Sequence, residues 1–88
     1  RMSIRVEFYG IARQRAGVEF LELEGNTLGE VFDRLQTQLP EFSAACLKEG
    51  ELLPGFLANV NGQTFSSKRD TPLNEGDDVL ILSADAGG

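Results

Sequence analysis

Histidine is absent from this 88-residue chain, and cysteine occurs once, at Cys46. Without imidazole the chain lacks the commonest general base and the commonest borderline metal ligand. Neither a zinc site nor a Ser–His or Cys–His nucleophile can be built from its own side chains, so no metal site is expected. One thiol excludes an internal disulfide and fits a reducing compartment, so a cytoplasmic location is expected. No apolar run approaches the roughly 18 residues of a membrane span. No charged, apolar and cleavable opening segment marks secretion. No membrane partner is therefore expected. A basic surplus is missing too. The formal net charge of −6 argues against a phosphate-binding surface, and no nucleic-acid partner is expected. Any electrostatically steered partner should be locally basic.

What remains is an ordinary globular composition, 41% hydrophobic and 25% charged, which reads as one domain over residues 2–88. Arg1 precedes Met2 and is expected to be a remnant outside the fold. A domain this small buries only about 60% of its unfolded surface, so its stability should be modest.

Residues 3–9, SIRVEFY, alternate Ile4, Val6 and Phe8 against Arg5, Glu7 and Tyr9, the period of a strand. A polar, basic connection between Gly10 and Gly17 leads to a second strand at 18–23, antiparallel to the first. The stretch EGNTLGEVFDRLQTQLP reads as the main helix. Asn26 or Thr27 caps it, and Thr27 with Glu30 makes a capping box. Leu28, Val31, Phe32, Leu35 and Leu39 form its apolar stripe, and Pro40 ends it. EFSAACL is a candidate short helix, and KEGELLPG a turn-rich connector. A strand at 56–60, an Asn61-Gly62 hairpin turn, a short return strand and a turn at Gly76 precede the last strand, 79–83. The order β-β-α-β-β-β predicts an α+β fold: a mixed sheet of about five strands with one main helix on one face.

The last strand is apolar on both faces. Val79 and Ile81 point one way, Leu80 and Leu82 the other, the mark of a central strand covered on both sides. One amphipathic helix covers only one face. Either the segment 41–55 lies over the other, or that face is an exposed apolar patch awaiting a partner, with Tyr9 and Phe65 as neighbours.

Beyond that strand the chain runs Ala84, Asp85, Ala86, Gly87, Gly88. Two glycines at an end are accounted for by fraying. They also suit a different use. Glycine has no Cβ, so such a tail can thread a channel too narrow for side chains and present an unencumbered carboxylate. That carboxylate could attack the α-phosphorus of ATP inside another protein's site. The resulting acyl-adenylate would be open to a sulfur or nitrogen nucleophile. The chain would then supply positioning and no catalytic side chain of its own.

Three stretches carry a family resemblance: the opening IRVEFYGIARQRAG, the central LANVNGQ, and Leu73, Gly76, Asp77 and Val79 followed by the apolar strand and terminal glycines. In these the chain resembles the ubiquitin-like, β-grasp sulfur carriers of the MoaD and ThiS type. The resemblance implies that Gly88 is adenylated and converted to a thiocarboxylate, with Gly87 as the second flexible link. It implies an apolar partner contact at Leu82, with Tyr9 and Phe65 near two further contacts. Leu80, Ala84, Asp85 and Ala86 complete the expected interface. The implied partners are an E1-like adenylyltransferase of the MoeB or ThiF type, using ATP and magnesium, and a synthase large subunit of the MoaE type. No cofactor bound to the chain itself is expected. The implied function is sulfur donation in molybdopterin biosynthesis, as a synthase small subunit. Thiamin or cysteine biosynthesis, or ubiquitin-like attachment to lysines, are the alternatives. The tail SADAGG lacks the proline often present in MoaD tails and carries Asp85, a departure that bears on which partner enzyme it meets.

Other features carry less. Cys46 among small apolar residues reads as a buried structural thiol. Glu75, Asp77 and Asp78 lack calcium-loop spacing and read as a solvated turn. Arg13 and Arg15 read as solvated, and Gly10 and Gly17 as turn glycines rather than a phosphate cradle.

Overall fold

The computed structural model describes residues 3–84. Strand β1, Ser3–Tyr9, alternates as its sequence demands, with Ile4, Val6 and Phe8 buried. The basic connection after it is a helix, α1, Ile11–Ala16, and not an irregular loop. Its signal was hidden by its length of six residues, too short for a periodic stripe. Gly17 ends it in the left-handed conformation, φ 77°, donating its N–H to the Arg13 carbonyl. The one residue it buries is Ala12.

Strand β2, Phe20–Glu24, runs antiparallel to β1 and begins two residues later than the sequence pattern implied, leaving Val18 exposed. Helix α2, Leu28–Gln38, starts at the capping box. Thr27 Oγ1 accepts from the Glu30 N–H at 3.2 Å, and Glu30 Oε1 accepts from the Asn26 N–H at 2.8 Å. Its stripe residues Leu28, Val31, Phe32 and Leu35 have no exposed surface. Pro40, which cannot continue α2, opens α3, Pro40–Cys46, as its first residue. Two residue pairs, β3 at Leu47–Lys48 and β4 at Glu51–Leu52, form a small separate antiparallel ladder where the sequence read only as turns. Glu49 and Gly50, both at positive φ, make its turn.

Strands β5, Phe56–Val60, and β6, Thr64–Phe65, are joined by Asn61, Gly62 and Gln63, with Asn61 and Gly62 at φ 57° and 69° and the Gln63 N–H donating to the Val60 carbonyl at 3.0 Å. Positive φ at both central positions is what a type I′ hairpin turn requires. The last strand, β7, spans Asp78–Ser83. Sheet order is β2-β1-β7-β5-β6, with β7 parallel to β1 and antiparallel to β5. The strand apolar on both faces is thus the middle one.

All three helices cover the same face of this sheet. Phe42 of α3 meets Phe8 of β1 edge-on, ring centroids 5.2 Å apart, and Phe42 and Cys46 join the α2 stripe in one core. The segment 41–55 therefore adds to the covered side. The opposite face has no cover among the described residues.

The long connection from β6 to β7 closes the N-terminal end of α2. Its carbonyls at Thr71 and Arg69 accept from the Leu28 and Gly29 N–H groups, at 3.0 and 2.9 Å, satisfying donors that a helix start leaves unpaired. The Arg69 side chain clamps the arrangement. Nη1 and Nη2 donate to the Asp33 carboxylate at 3.0 and 2.9 Å, and Nη1 also donates to the Gly50 carbonyl at 2.8 Å. A Cβ at Gly50 would lie 2.7 Å from Nη1, and one at Gly29 would lie 2.9 Å from the guanidinium carbon. Both glycines are there to let the arginine in. The guanidinium hydrogen bond holds Asp33 below the ordinary carboxyl range. A depressed folded-state value stabilises the protein above the unfolded value and loses that contribution as pH falls through the folded one. Arg69→Ala should therefore lower the melting temperature at neutral pH and shrink the loss on acidification below the ordinary aspartate value. Thermal melts across that range check this. Coincident curves for both proteins would show that the clamp contributes nothing, and the half-exposed Asp33 makes a modest difference the expected size.

Candidate functional site

The open face is laid out by the strand register. Across one row, Tyr9 of β1, Leu82 of β7 and Leu57 of β5 stand side by side. In the next row come Phe20, Glu7, Leu80, Asn59 and Phe65, from β2 to β6. The third row is charged, with Glu22, Arg5 and Asp78. Apolar side chains thus collect at the end of the face where β7 finishes. Tyr9 is 53% exposed, Phe65 62% and Leu57 38%, while Leu80 and Leu82 are half-buried between them. Single exposed apolar residues mean little, but a contiguous group on one uncovered sheet face marks an interaction surface. At the other end Arg5 lies 3.7 Å above the Phe20 ring and 3.7 Å from the Glu7 carboxylate, which keeps that aromatic partly covered.

Tyr9, Phe65, Leu80 and Leu82, four of the five described residues expected to meet partners, therefore share one face. Ala84 is exposed at its edge, its N–H bonded to the Gly55 carbonyl at 2.6 Å. Asp85, Ala86, Gly87 and Gly88 lie outside the described residues, and so does Met2. Leu57 and Asn59 complete the face and were not singled out from sequence. The alternation of FLANV carried the signal, since Ala58 and Val60 face the core. Placing the other two on this face needed the knowledge that β5 sits beside β7.

The turn before β7 fixes where that strand lies, and the acidic cluster there is structural. Asp77 Oδ2 accepts from the Asn74 N–H at 2.8 Å, and Oδ1 accepts from Asn61 Nδ2 at 3.0 Å. Asn61 Oδ1 in turn accepts from the Asp78 N–H at 2.8 Å. Gly76, φ 84°, donates to the Ser3 carbonyl, and the Arg5 N–H donates to the Asp77 carbonyl at 3.0 Å. The Gly-Asp turn so registers β7 against β1 and ties both to the β5–β6 hairpin. Strand β7 thereby ends beside the apolar row Tyr9–Leu82–Leu57.

No described group of three or more Cys, Asp or Glu side chains is arranged to hold a metal. Cys46 is fully buried, and burial pushes its thiol up, only partly countered by the charge of Arg15. It is a poor nucleophile in that setting. Arg13 forms an ion pair with Glu19. No described helix is long and apolar enough to cross a membrane.

A five-stranded mixed sheet with its helices on one face, a central last strand and an uncovered apolar face define a ubiquitin-like, β-grasp protein. Solved structures agree. CysO of Amycolatopsis orientalis, crystallised in complex with BexX, is 27% identical with a TM-score of 0.78, covering 97% of this chain and 99% of that one. The small archaeal modifier protein 1 of Methanosarcina acetivorans is 21% identical with a TM-score of 0.80, over 99% and 97% of the two chains. A putative molybdopterin converting factor subunit 1 of Pyrococcus furiosus is 20% identical with a TM-score of 0.72, over 94% and 98%. No curated protein sequence matches the chain. The ThiS family model matches residues 6–88, and the chain belongs to that family of ubiquitin-like sulfur carriers and modifiers.

Proposed function

We propose that this chain carries sulfur as a thiocarboxylate on Gly88 and works inside partner enzymes that dock on its open sheet face. The observation that carries the proposal is the exit of β7. The strand that ends in the tail is the same strand that supplies Leu80 and Leu82 to the exposed apolar face. A partner bound there sits beside the end of β7, where the last residues of the sequence follow.

Four residues follow Ala84, enough to span about 14 Å at full extension. A carboxylate at that distance can enter a site the folded body cannot. In the partner, a carboxylate oxygen of Gly88 attacks the α-phosphorus of ATP and pyrophosphate leaves, giving an acyl-adenylate. A sulfide-equivalent nucleophile then attacks the carbonyl carbon and AMP leaves, giving the thiocarboxylate. This chain provides position alone. With the partner held on the sheet face, the tail would meet its reactants as an intramolecular group does. ATP, magnesium and the activating side chains belong to an E1-like adenylyltransferase of the MoeB or ThiF type.

The recipient implied by the sequence resemblance is a molybdopterin precursor held by a large subunit of the MoaE type. A second recipient is favoured by a specific observation. Identity to CysO is 27%, against 20% for the putative molybdopterin converting factor, and the tail here lacks proline. Delivery towards cysteine is the corresponding reading.

Incubation with a purified E1-like enzyme and magnesium ATP tests the shared step. Pyrophosphate release that depends on this chain is expected, and release that ignores its presence would contradict the proposal. Isopeptide-linked adducts on cellular proteins, with no sulfur-bearing form, would instead make it a modifier.

A further inference from the structure

One side chain on the open face is chemically out of place. Asn59 stands opposite Leu80 of β7 and Phe65 of β6, at the centre of the apolar group. It is only 7% exposed, and its Oδ1, without accessible surface, has no hydrogen-bond donor among the described residues. Buried polar atoms are paired as a rule, and an orphaned acceptor costs the fold its desolvation. Asn61, two residues on, shows the ordinary case, with both its amide atoms bonded. A leucine has the same number of side-chain heavy atoms with the same branching and would stand beside Leu80 without the penalty. The fold therefore does not explain the asparagine.

We propose that Asn59 Oδ1 is the register point of the docking face, left unpaired in the free protein and satisfied by one N–H donor of the partner. The inference rests on the reading of this face as the surface that partners cover. It also specifies that surface. The partner is apolar around a single central donor and carries basic groups where it meets Glu7, Glu22 and Asp78. Arg5, itself occupied by Phe20 and Glu7, leaves that end with an excess of carboxylates. Phe65, 62% exposed on a two-residue edge strand, stands directly opposite Asn59, and a shift of its side chain would open the amide to the donor. A partner that brings the donor relieves a cost the free protein already carries, and one without it does not, so the residue favours the right partner by about the value of that one hydrogen bond.

The test uses the full chain and a purified E1-like adenylating enzyme from the same source, with affinity read by calorimetry. Asn59→Leu should melt at or above the temperature of the unaltered protein yet bind at least tenfold more weakly. In the unaltered, nitrogen-15-labelled protein, the Asn59 side-chain NH2 resonances should shift when the enzyme is added. Asn59→Leu binding as well as the unaltered chain, or unmoved resonances, would overturn the proposal. Leu57→Asp separates the two layers. If it weakens binding while Asn59→Leu does not, the docking face stands and the register point falls. If Leu57→Asp also leaves binding unchanged, the face itself is wrong and the proposal goes with it.

Discussion

Removal of Gly87 and Gly88 abolishes sulfur transfer and leaves the melting temperature within about a degree of the intact chain's: this is the largest effect expected of any change to this protein. The two halves of that result have separate causes. The described core closes without the tail. Ile81 is fully buried and Ser83 nearly so, and Ala84 is the last described residue and already exposed. A core that closes within the described residues leaves the fold little to lose when the last two residues are removed. The chemistry has no substitute. Without Gly87 and Gly88 the terminal carboxylate sits on Ala86, two residues short, and shortening by two residues withdraws it by about 7 Å. That exceeds by far the near-attack distance of about 3–3.5 Å at which reacting groups must meet. Transfer assays with a reconstituted activating enzyme, beside a thermal melt, measure both. A shortened chain that still carries sulfur would move the reactive group elsewhere. One that melts far lower would mean the tail packs against the fold.

Leu82→Asp is expected to separate docking from folding. Leu82 is half-buried between Tyr9 and Leu57, both more exposed than itself, so an aspartate there keeps access to water and costs folding about 1–2 kcal/mol. When a partner covers the row, the same carboxylate loses its water with no cation beside it on its own sheet. Truncating a central apolar anchor costs roughly 2 kcal/mol or more, about 30-fold in affinity, and a buried unpaired charge adds to that. Binding to the activating enzyme should therefore fall by well over tenfold in a protein that still folds. An unfolded variant would place Leu82 in the core, and a folded one with unaltered affinity would remove the sheet face from the account.

How much of this could be read in the sequence follows from where each feature gets its energy. β1, α2 and β7 announce themselves because their own side chains decide their fate. Ile4, Val6 and Phe8 alternate, Thr27 and Glu30 cap each other, and Val79 to Leu82 are apolar throughout. The Asn61-Gly62 turn is legible for the same reason, since positive φ at both positions is a local demand. Helix α1 and the β3–β4 ladder are not legible, because six residues and two-residue strands hold too little local preference. They form where Ala12 and Leu47 find the core already waiting. The site divides likewise. Leu80 and Leu82 show in the two-sided character of β7, whereas Leu57 and Asn59 acquire their place only from the β5–β7 pairing. The clamp from Arg69 to Asp33 and Gly50 joins three separate segments, and no single window contains it.

The central claim is that the sulfur rides on the Gly88 carbonyl, presented from a fold that does no chemistry. The intact mass of the chain after incubation with its activating enzyme, magnesium ATP and a sulfur donor tests it most directly. The account predicts an ATP-dependent gain equal to the difference between a sulfur and an oxygen atom, with fragmentation locating the change on Gly88. A gain of a whole sulfur atom, located on Cys46 as a persulfide and independent of ATP, would contradict it.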